Sequence, residues 1–287
     1  MAWFAPKRIL CPFDLGPASG AVLGWARTLA QVFDAKVEVL HAVWFEAPRY
    51  FTEAQVAILT SEEAGQRRML EEEIHATARQ VLGDRVPFVV SVVDGYPVEV
   101  VLERLRKEPP DLVVMGSHGR RGLARFLLGS VAENVIHYAQ CPVLVVKGPD
   151  PGARRQPLRS VLCPVNFTGE ARRPAEVAAE VAAAFGAELH LLHAVEADAP
   201  GARPTETSLC DWMDQDMRSR CHVSETIVEG DAARQIGLFA DRKKADLLVM
   251  GAMHRDSFDF SSLGRTTTSV MRQSPVSLLL VPEVSTG

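Results

Sequence analysis

The chain has 287 residues, 47% of them hydrophobic and 23% charged, with a formal net charge of -5. That balance describes a globular protein with a sizeable core and excludes a disordered or fibrous chain. Without a basic block there is no electrostatic footprint for nucleic acid, and no run approaches the roughly 18 apolar residues of a membrane span.

From the N-terminus, "RILCPF" is the first short apolar run bounded by a turn signal. Ala18 to Phe33 follows with Val22, Trp25, Ala26, Leu29, Ala30 and Phe33 at helical spacing. "KVEVLHAV" is a second strand, Thr52 to Leu82 a long charged helical region, and "VPFVVSVV" a third strand. Val98 to Lys107 predicts a helix, "DLVVMG" a fourth strand, Phe126 to Tyr138 another helix, and "PVLVVK" a fifth strand. The strands are rich in Val, Ile and Leu without alternation, as expected for strands covered on both faces. Strand and helix alternate, which predicts an α/β, doubly wound, parallel sheet of Rossmann-like type. Its expected strand order is 3-2-1-4-5.

The pattern then repeats. "RILCPFDLG" aligns with "SVLCPVNFT", and "VEVLHAV" with "LHLLHAV", both at a shift of 152 residues. "DGYPVEVVLERLRKEPPDLVVMG" aligns with "EGDAARQIGLFADRKKADLLVMG" at a shift of 135, so the second copy is about 17 residues shorter in its middle. A period this long is a duplicated domain, not a solenoid unit. The expected division is a first domain over residues 1–148, a Pro/Gly/Arg-rich linker over 149–158, and a second domain over 159–287. The last strand of each copy would be an apolar sheet edge, which must be paired or covered. The two are expected to pair with each other, making the monomer a pseudo-dimer; a further homodimer is open.

In such sheets a ligand sits beyond the carboxyl ends of the strands, where the chain order reverses. Here that point lies between the first strand, followed by Asp14, and the fourth, which ends in the glycine-rich "GSHGRRGLARFLLGS". Glycines let a backbone close around a phosphate, and a helix N-terminus favours an anion. Ser130 could cap the following helix, and Arg120 could supply charge. The loop is neither a P-loop nor a dinucleotide fingerprint, and no nucleophile elbow is present.

With Gly116-x2-Gly119-x9-Gly129-Ser130, "FD" after the first strand and "HAV" after the second, the chain resembles the universal stress protein family in its tandem form. The resemblance implies an adenine nucleotide alpha hydrolase-like fold and ATP as ligand, with Mg2+ as the ion that would accompany the nucleotide. It implies Asp14 and the Val43 backbone at adenine and ribose, and Pro12 and Phe13 as walls for the base. Met115 and Gly116 would border the ribose, while His118, Gly119, Gly129, Ser130 and Val131 would line the phosphates. One departure is Gly16, where many members carry serine; Ser19 falls where a second small polar residue is common.

The second copy has Asn166 for Asp14, His254 for Gly119 and Arg265 for Ser130. It is therefore expected not to bind ATP, its ligand space closed by the larger side chains and its helix deprived of a cap. A different anion site built on His254 and Arg265 is the lesser reading.

His41 and His193 recur at one offset and read as hydrogen-bonded strand-end residues, not metal ligands, because zinc needs three or four Cys or His together. Glu71, Glu72 and Glu73 read as a solvated helix face, and Cys11 and Cys163 as core. The five cysteines lack C-x-x-C spacing and scaffold density, and "MAWFAPKRILCPF" lacks a secretory h-region; a cytoplasmic protein with neither nucleic-acid nor membrane partner is expected. The function implied is a nucleotide-dependent regulator acting on a protein partner through its first domain. The rivals are a slow ATPase or self-phosphorylating protein, for which Glu133 is the nearest carboxylate to the phosphate residues, and a scaffold that binds no nucleotide.

Overall fold

The computed structural model describes residues 4–44, 53–117, 128–148, 158–166, 171–195, 215–252 and 263–282, with side chains left undescribed over 53–64 and 215–217. In chain order the first repeat comprises β1 (Arg8–Pro12), α1 (Ser19–Phe33), β2 (Lys36–Val43), α2 (Glu53–Leu82), β3 (Phe88–Asp94), α3 (Pro97–Lys107), β4 (Leu112–Gly116), α4 (Ser130–Tyr138) and β5 (Val143–Val146). The second comprises β6 (Ser160–Pro164), α5 (Arg172–Phe185), β7 (Glu188–Val195), α6 (Gln215–Arg220), β8 (His222–Glu229), α7 (Ala232–Arg242), β9 (Leu247–Ala252), α8 (Arg265–Gln273) and β10 (Leu278–Pro282).

All ten strands join one sheet in the order β3-β2-β1-β4-β5-β10-β9-β6-β7-β8. Each repeat therefore runs 3-2-1-4-5, as read from the alternation. Within a repeat every pairing is parallel. The repeats meet through the antiparallel pair β5 and β10, with Leu144 opposite Leu279. Two expected edges thus cover one another, and the sheet ends instead at β3 and β8.

One apolar layer lies on each face of the sheet, and both run through the two repeats. On one side Ile9, Cys11, Val37 and Val39 continue into Val161, Cys163 and Leu189; on the other Leu10, Leu40 and Val113 continue into Leu162, Leu248 and Leu280. The alternation along each strand delivers these two sets, because successive side chains point to opposite faces. Where α1 and α5 meet, Phe33 stands edge-on to both Phe4 and Phe185, at 5.4 and 6.3 Å between ring centroids. The Phe4 N–H donates to Glu180 on α5, and the Lys147 ammonium beyond β5 donates to the carbonyl of Met271 on α8.

The same device holds the middle of each half of the sheet. Asp111, just before β4, accepts from the Lys7 and Arg8 N–H groups through one oxygen, both at 2.9 Å. Asp246, just before β9, accepts from Arg159 and Ser160 at 2.8 and 3.1 Å. The aspartate that opens "DLVVM" and "DLLVM" thus pins the start of the neighbouring central strand. Helix ends repeat as well: α1 stops at Asp34 (φ 52°) and α5 at Gly186 (φ 63°), both left-handed, a conformation that glycine adopts at little cost and aspartate tolerates.

The start of one helix differs from the sequence reading. Helix α4 begins at Ser130, with Gly129 in the cap position and no side-chain cap bond; Ser130 is thus the first helical residue, not its cap. Residues 126 and 127, where that helix was expected to start, lie outside the described residues. The loss of about 17 residues in the second copy falls between β7 and β8, where the first copy has the 30-residue α2 and the second the 6-residue α6.

Cys11 and Cys163 are buried in the sheet core. Burial raises both thiols, Cys163 to about 12, with the Glu38 charge adding to the rise at Cys11. They stay protonated near neutral pH and act as small apolar side chains. His190 on β7 is 1% exposed, with Nδ1 2.5 Å from Ser224 Oγ and 3.6 Å from Glu188 Oε1. Burial, aided by the charges of Lys243 and His222 and opposed by Glu188, lowers its pKa below 6.5. The unfolded chain then takes up a proton that the folded imidazole resists. Stability is fully present above pH 6.5 and is lost as pH falls from there toward the folded value, by at most about 1.4 kcal/mol per pH unit. Urea midpoints measured between pH 7.5 and 5 should show this acid slope, and His190→Gln should flatten it.

Candidate functional site

The chain leaves β1 through Phe13, whose N–H donates to the Leu40 carbonyl at 2.8 Å, and whose ring is buried. It turns at Leu15, which has φ 57°. Asp14 is fixed within this turn: the Gly16 N–H donates to its Oδ1 at 2.9 Å and the Ser19 hydroxyl at 3.2 Å. Both bonds fall on one oxygen, so Oδ2 remains the acceptor suited to a ligand donor. Ser19, buried at the start of α1, thus spends its hydroxyl on holding Asp14.

His41 on β2 secures the same turn from below, its Nδ1 2.6 Å from the Phe13 carbonyl. A carbonyl only accepts, so Nδ1 carries the proton. In the second repeat His193 Nδ1 makes the same bond to the Val165 carbonyl at 2.8 Å. The recurring histidines are hydrogen-bonded strand-end residues, as their shared offset suggested. Val43, at the end of β2, gives its carbonyl to the Gly95 N–H at 2.9 Å. Beside it Trp44 and Tyr96, both exposed, stand edge to face at 5.6 Å; the sequence reading did not single out this aromatic rim.

Strand β4 lies next to β1 and ends with buried Met115 and with Gly116. Ser117 then donates its N–H to the Val146 carbonyl at 3.2 Å and accepts from the Gly129 N–H at 2.9 Å. That last bond closes the base of the glycine-rich loop, bringing its two ends together before α4 starts. With glycine in the cap position, the first-turn N–H groups, including those of Ser130 and Val131, lack intrahelical acceptors. Pro12, Phe13, Asp14, Val43, Met115, Gly116, Gly129, Ser130 and Val131 therefore all lie at the carboxyl-end side of β1, β2 and β4 or at the start of α4. His118, Gly119 and Arg120 lie outside the described residues.

In the second repeat a cleft of about 310 Å³ lies among the described residues, between Asn166 after β6, Gly251 on β9 and Gly264 to Thr267 at the start of α8. Alanines 171, 194 and 232 line its walls, and Thr267 is turned aside, its hydroxyl donating to the Gly251 carbonyl at 3.1 Å. The lost cap does not unmake the helix; α8 starts from Gly264 at φ 82°, which only glycine adopts readily. His254 lies outside the described residues.

The universal stress protein family profile matches residues 6–147 and again 157–282. The chain belongs to the universal stress protein family. It is a tandem member, with two such units on one polypeptide. A universal stress protein of Mycolicibacterium smegmatis is 25% identical over 95% of this chain and 96% of its own. One from Methanocaldococcus jannaschii is 33% identical over 50% of this chain and 83% of its own. The crystal structure of a universal stress protein from Archaeoglobus fulgidus superposes with a TM-score of 0.73 at 22% identity, covering 99% of both chains. At that identity the likeness is one of fold. No helix among the described residues is long and apolar enough to cross a membrane, and the described cysteines, Cys11, Cys141, Cys163 and Cys221, are free thiols.

Proposed function

We propose that this universal stress protein is an ATP-responsive regulator whose first repeat, residues 1–148, holds the nucleotide. The observation that carries the reading is the pairing of a fixed carboxylate, Asp14, with the closed base of a glycine-rich loop at the switch point of the sheet. Asp14 offers an acceptor to donors on the base or ribose, and Phe13 and Pro12 support the wall behind it. The N–H groups at the start of α4, with the loop glycines, offer donors to the phosphates and Mg2+ would travel with them. His118, Gly119 and Arg120 would complete the phosphate side.

Such a site does not need to perform chemistry to act. It regulates if a partner protein distinguishes the occupied from the empty form, and only to the extent of that difference in affinity. A cytoplasmic setting fits the free thiols, which such a compartment keeps reduced. Calorimetric titration of the full chain with ATP and Mg2+ tests the reading. One ATP per chain is expected, abolished by Gly119→Val, whose side chain would take space reserved for phosphate. Two ATP per chain, or none, would remove the assignment.

A further inference from the structure

The two repeats put different chemistry at one matching place on the sheet. On β2, Glu38 accepts from the Ser91 hydroxyl of β3 at 2.8 Å and pairs with Arg104 of α3 at 3.2 Å, which also meets Glu108. Shifted by 152 residues for the first and 135 for the others, these positions become His190 on β7, Phe239 on α7 and Lys243 just beyond it. Carboxylate and guanidinium groups titrate far from neutral pH, whereas imidazole titrates close to it. The second repeat thus has a proton-sensitive group where the first has an ion pair.

His190 sits between β6, β8 and α7. Across the sheet it lies in register with Leu162 of β6 on one side and Ser224 of β8 on the other, with Nδ1 2.5 Å from Ser224 Oγ. The Phe239 ring stands edge-on at 6.0 Å between centroids, and the Lys243 ammonium lies 5.9 Å from that ring. Glu188, two residues back on β7, places Oε1 3.6 Å from His190 Nδ1 and 3.7 Å from Nδ1 of His222 on β8. From β6 come Leu162 and, beside Glu188, the buried Ser160 hydroxyl. Burial opposes a proton on the imidazole most strongly; Lys243 and His222 add to that opposition, and Glu188 works against it.

A protonated ring cannot keep the place of the neutral one without the cost of a buried cation. The way to water runs through β8. That strand is an edge of the ten-stranded sheet, paired on one side among the described residues. Its residues are all half-buried or exposed, and Ser224 is its contact with the imidazole. Elements at the margin of a fold open at lower free energy than its core. An open form in which the ring reaches water binds the proton better, so acid populates it. We propose that His190 is an acid-released latch for the β8 edge: the neutral imidazole, seated on Ser224 and Phe239, keeps β8 paired with β7, and the protonated imidazole lets β8 detach. The first repeat, with Glu38 and Arg104 at this place, keeps β3 paired over the same range of pH.

Amide hydrogen exchange of the full chain between pH 7.5 and 5, corrected for the intrinsic exchange rate at each pH, tests the latch. Protection of the β8 amides is expected to fall by up to about tenfold per pH unit below 6.5, while the β3 amides stay level. His190→Gln should remove the dependence on pH at β8. Glu188→Gln leaves the ring and Ser224 in place but removes the charge that favours the imidazolium, so it should enlarge the acid loss; simple weakening of the strand would lower protection equally at every pH. Parallel loss at β3 and β8, or an acid loss at β8 that persists in His190→Gln, overturns the proposal. Should His190→Gln fail to fold, Glu188→Gln decides, and an acid response unchanged from the parent chain overturns it.

Discussion

Leu279→Glu is expected to unfold both repeats together. Leu279 is 2% exposed and faces Leu144, itself 1% exposed, across the antiparallel join of β5 and β10. A carboxylate placed there either stays charged without a partner or takes up a proton at a strongly raised pKa; either route costs several kcal/mol. That is comparable with the about 5–15 kcal/mol that separates a folded domain from its unfolded chain. The damage spreads because both apolar layers cross this join, and because splitting it would expose two apolar strand edges. The milder Leu144→Ala leaves a cavity and should cost about 2–5 kcal/mol. Urea unfolding of that variant, followed by far-UV circular dichroism and by fluorescence dominated by buried tryptophan such as Trp25, should give coincident curves displaced to lower denaturant. Separate transitions, with one repeat intact after the other has melted, would show that the join is a contact between independent domains.

The architecture was legible because its signals are local and doubled. Continuous Val/Ile/Leu runs mark strands covered on both faces, the repeat gives each element a second witness, and apolar terminal strands require a partner. His41 and His193 were legible for the same reason, as one residue recurring at one offset. Asp111 and Asp246 were not, because their hydrogen bonds join residues roughly a hundred positions apart along the chain, and nothing beside an aspartate before a strand announces so distant an acceptor role. The cap of α4 was misplaced, since a serine after a glycine looks like a cap while the glycine already occupies the cap position. The second crevice was legible only in part: the small residues in its walls, Ala171, Ala194, Ala232 and Gly251, lie outside the motif's varied positions, and His254, on which its expected closure rested, lies outside the described residues.

In the first repeat, moving the Asp14 carboxylate should weaken ATP binding even when the carboxylate itself is kept. A Cβ added at Gly16 would lie 2.8 Å from Asp14 Oδ1, closer than such atoms approach, and a tight 3.0 Å from Oδ2 and 3.2 Å from Cγ. Gly16→Ala therefore shifts the Asp14 carboxylate and disturbs the bonds from the Gly16 N–H and the Ser19 hydroxyl that fix it. Any side chain at position 16 would place a Cβ in that space, so the bare backbone and the Asp14 rotamer belong together. A hydrogen bond to a charged group contributes about 1.5–3 kcal/mol, which at about 1.4 kcal/mol per factor of ten corresponds to a loss of roughly 10- to 100-fold in affinity. Asp14→Ala should fall in this range, and Gly16→Ala close to it. Asp14→Asn separates charge from geometry, because the amide oxygen can still accept from Gly16 and Ser19 while the negative charge is gone. If the asparagine variant binds ATP as weakly as the alanine variant, the charge carries the recognition, and the asparagine at 166 is then sufficient to deny ATP to the second repeat. If Gly16→Ala binds like the parent chain, Asp14 does not touch the nucleotide, and the site must be sought nearer the glycine loop.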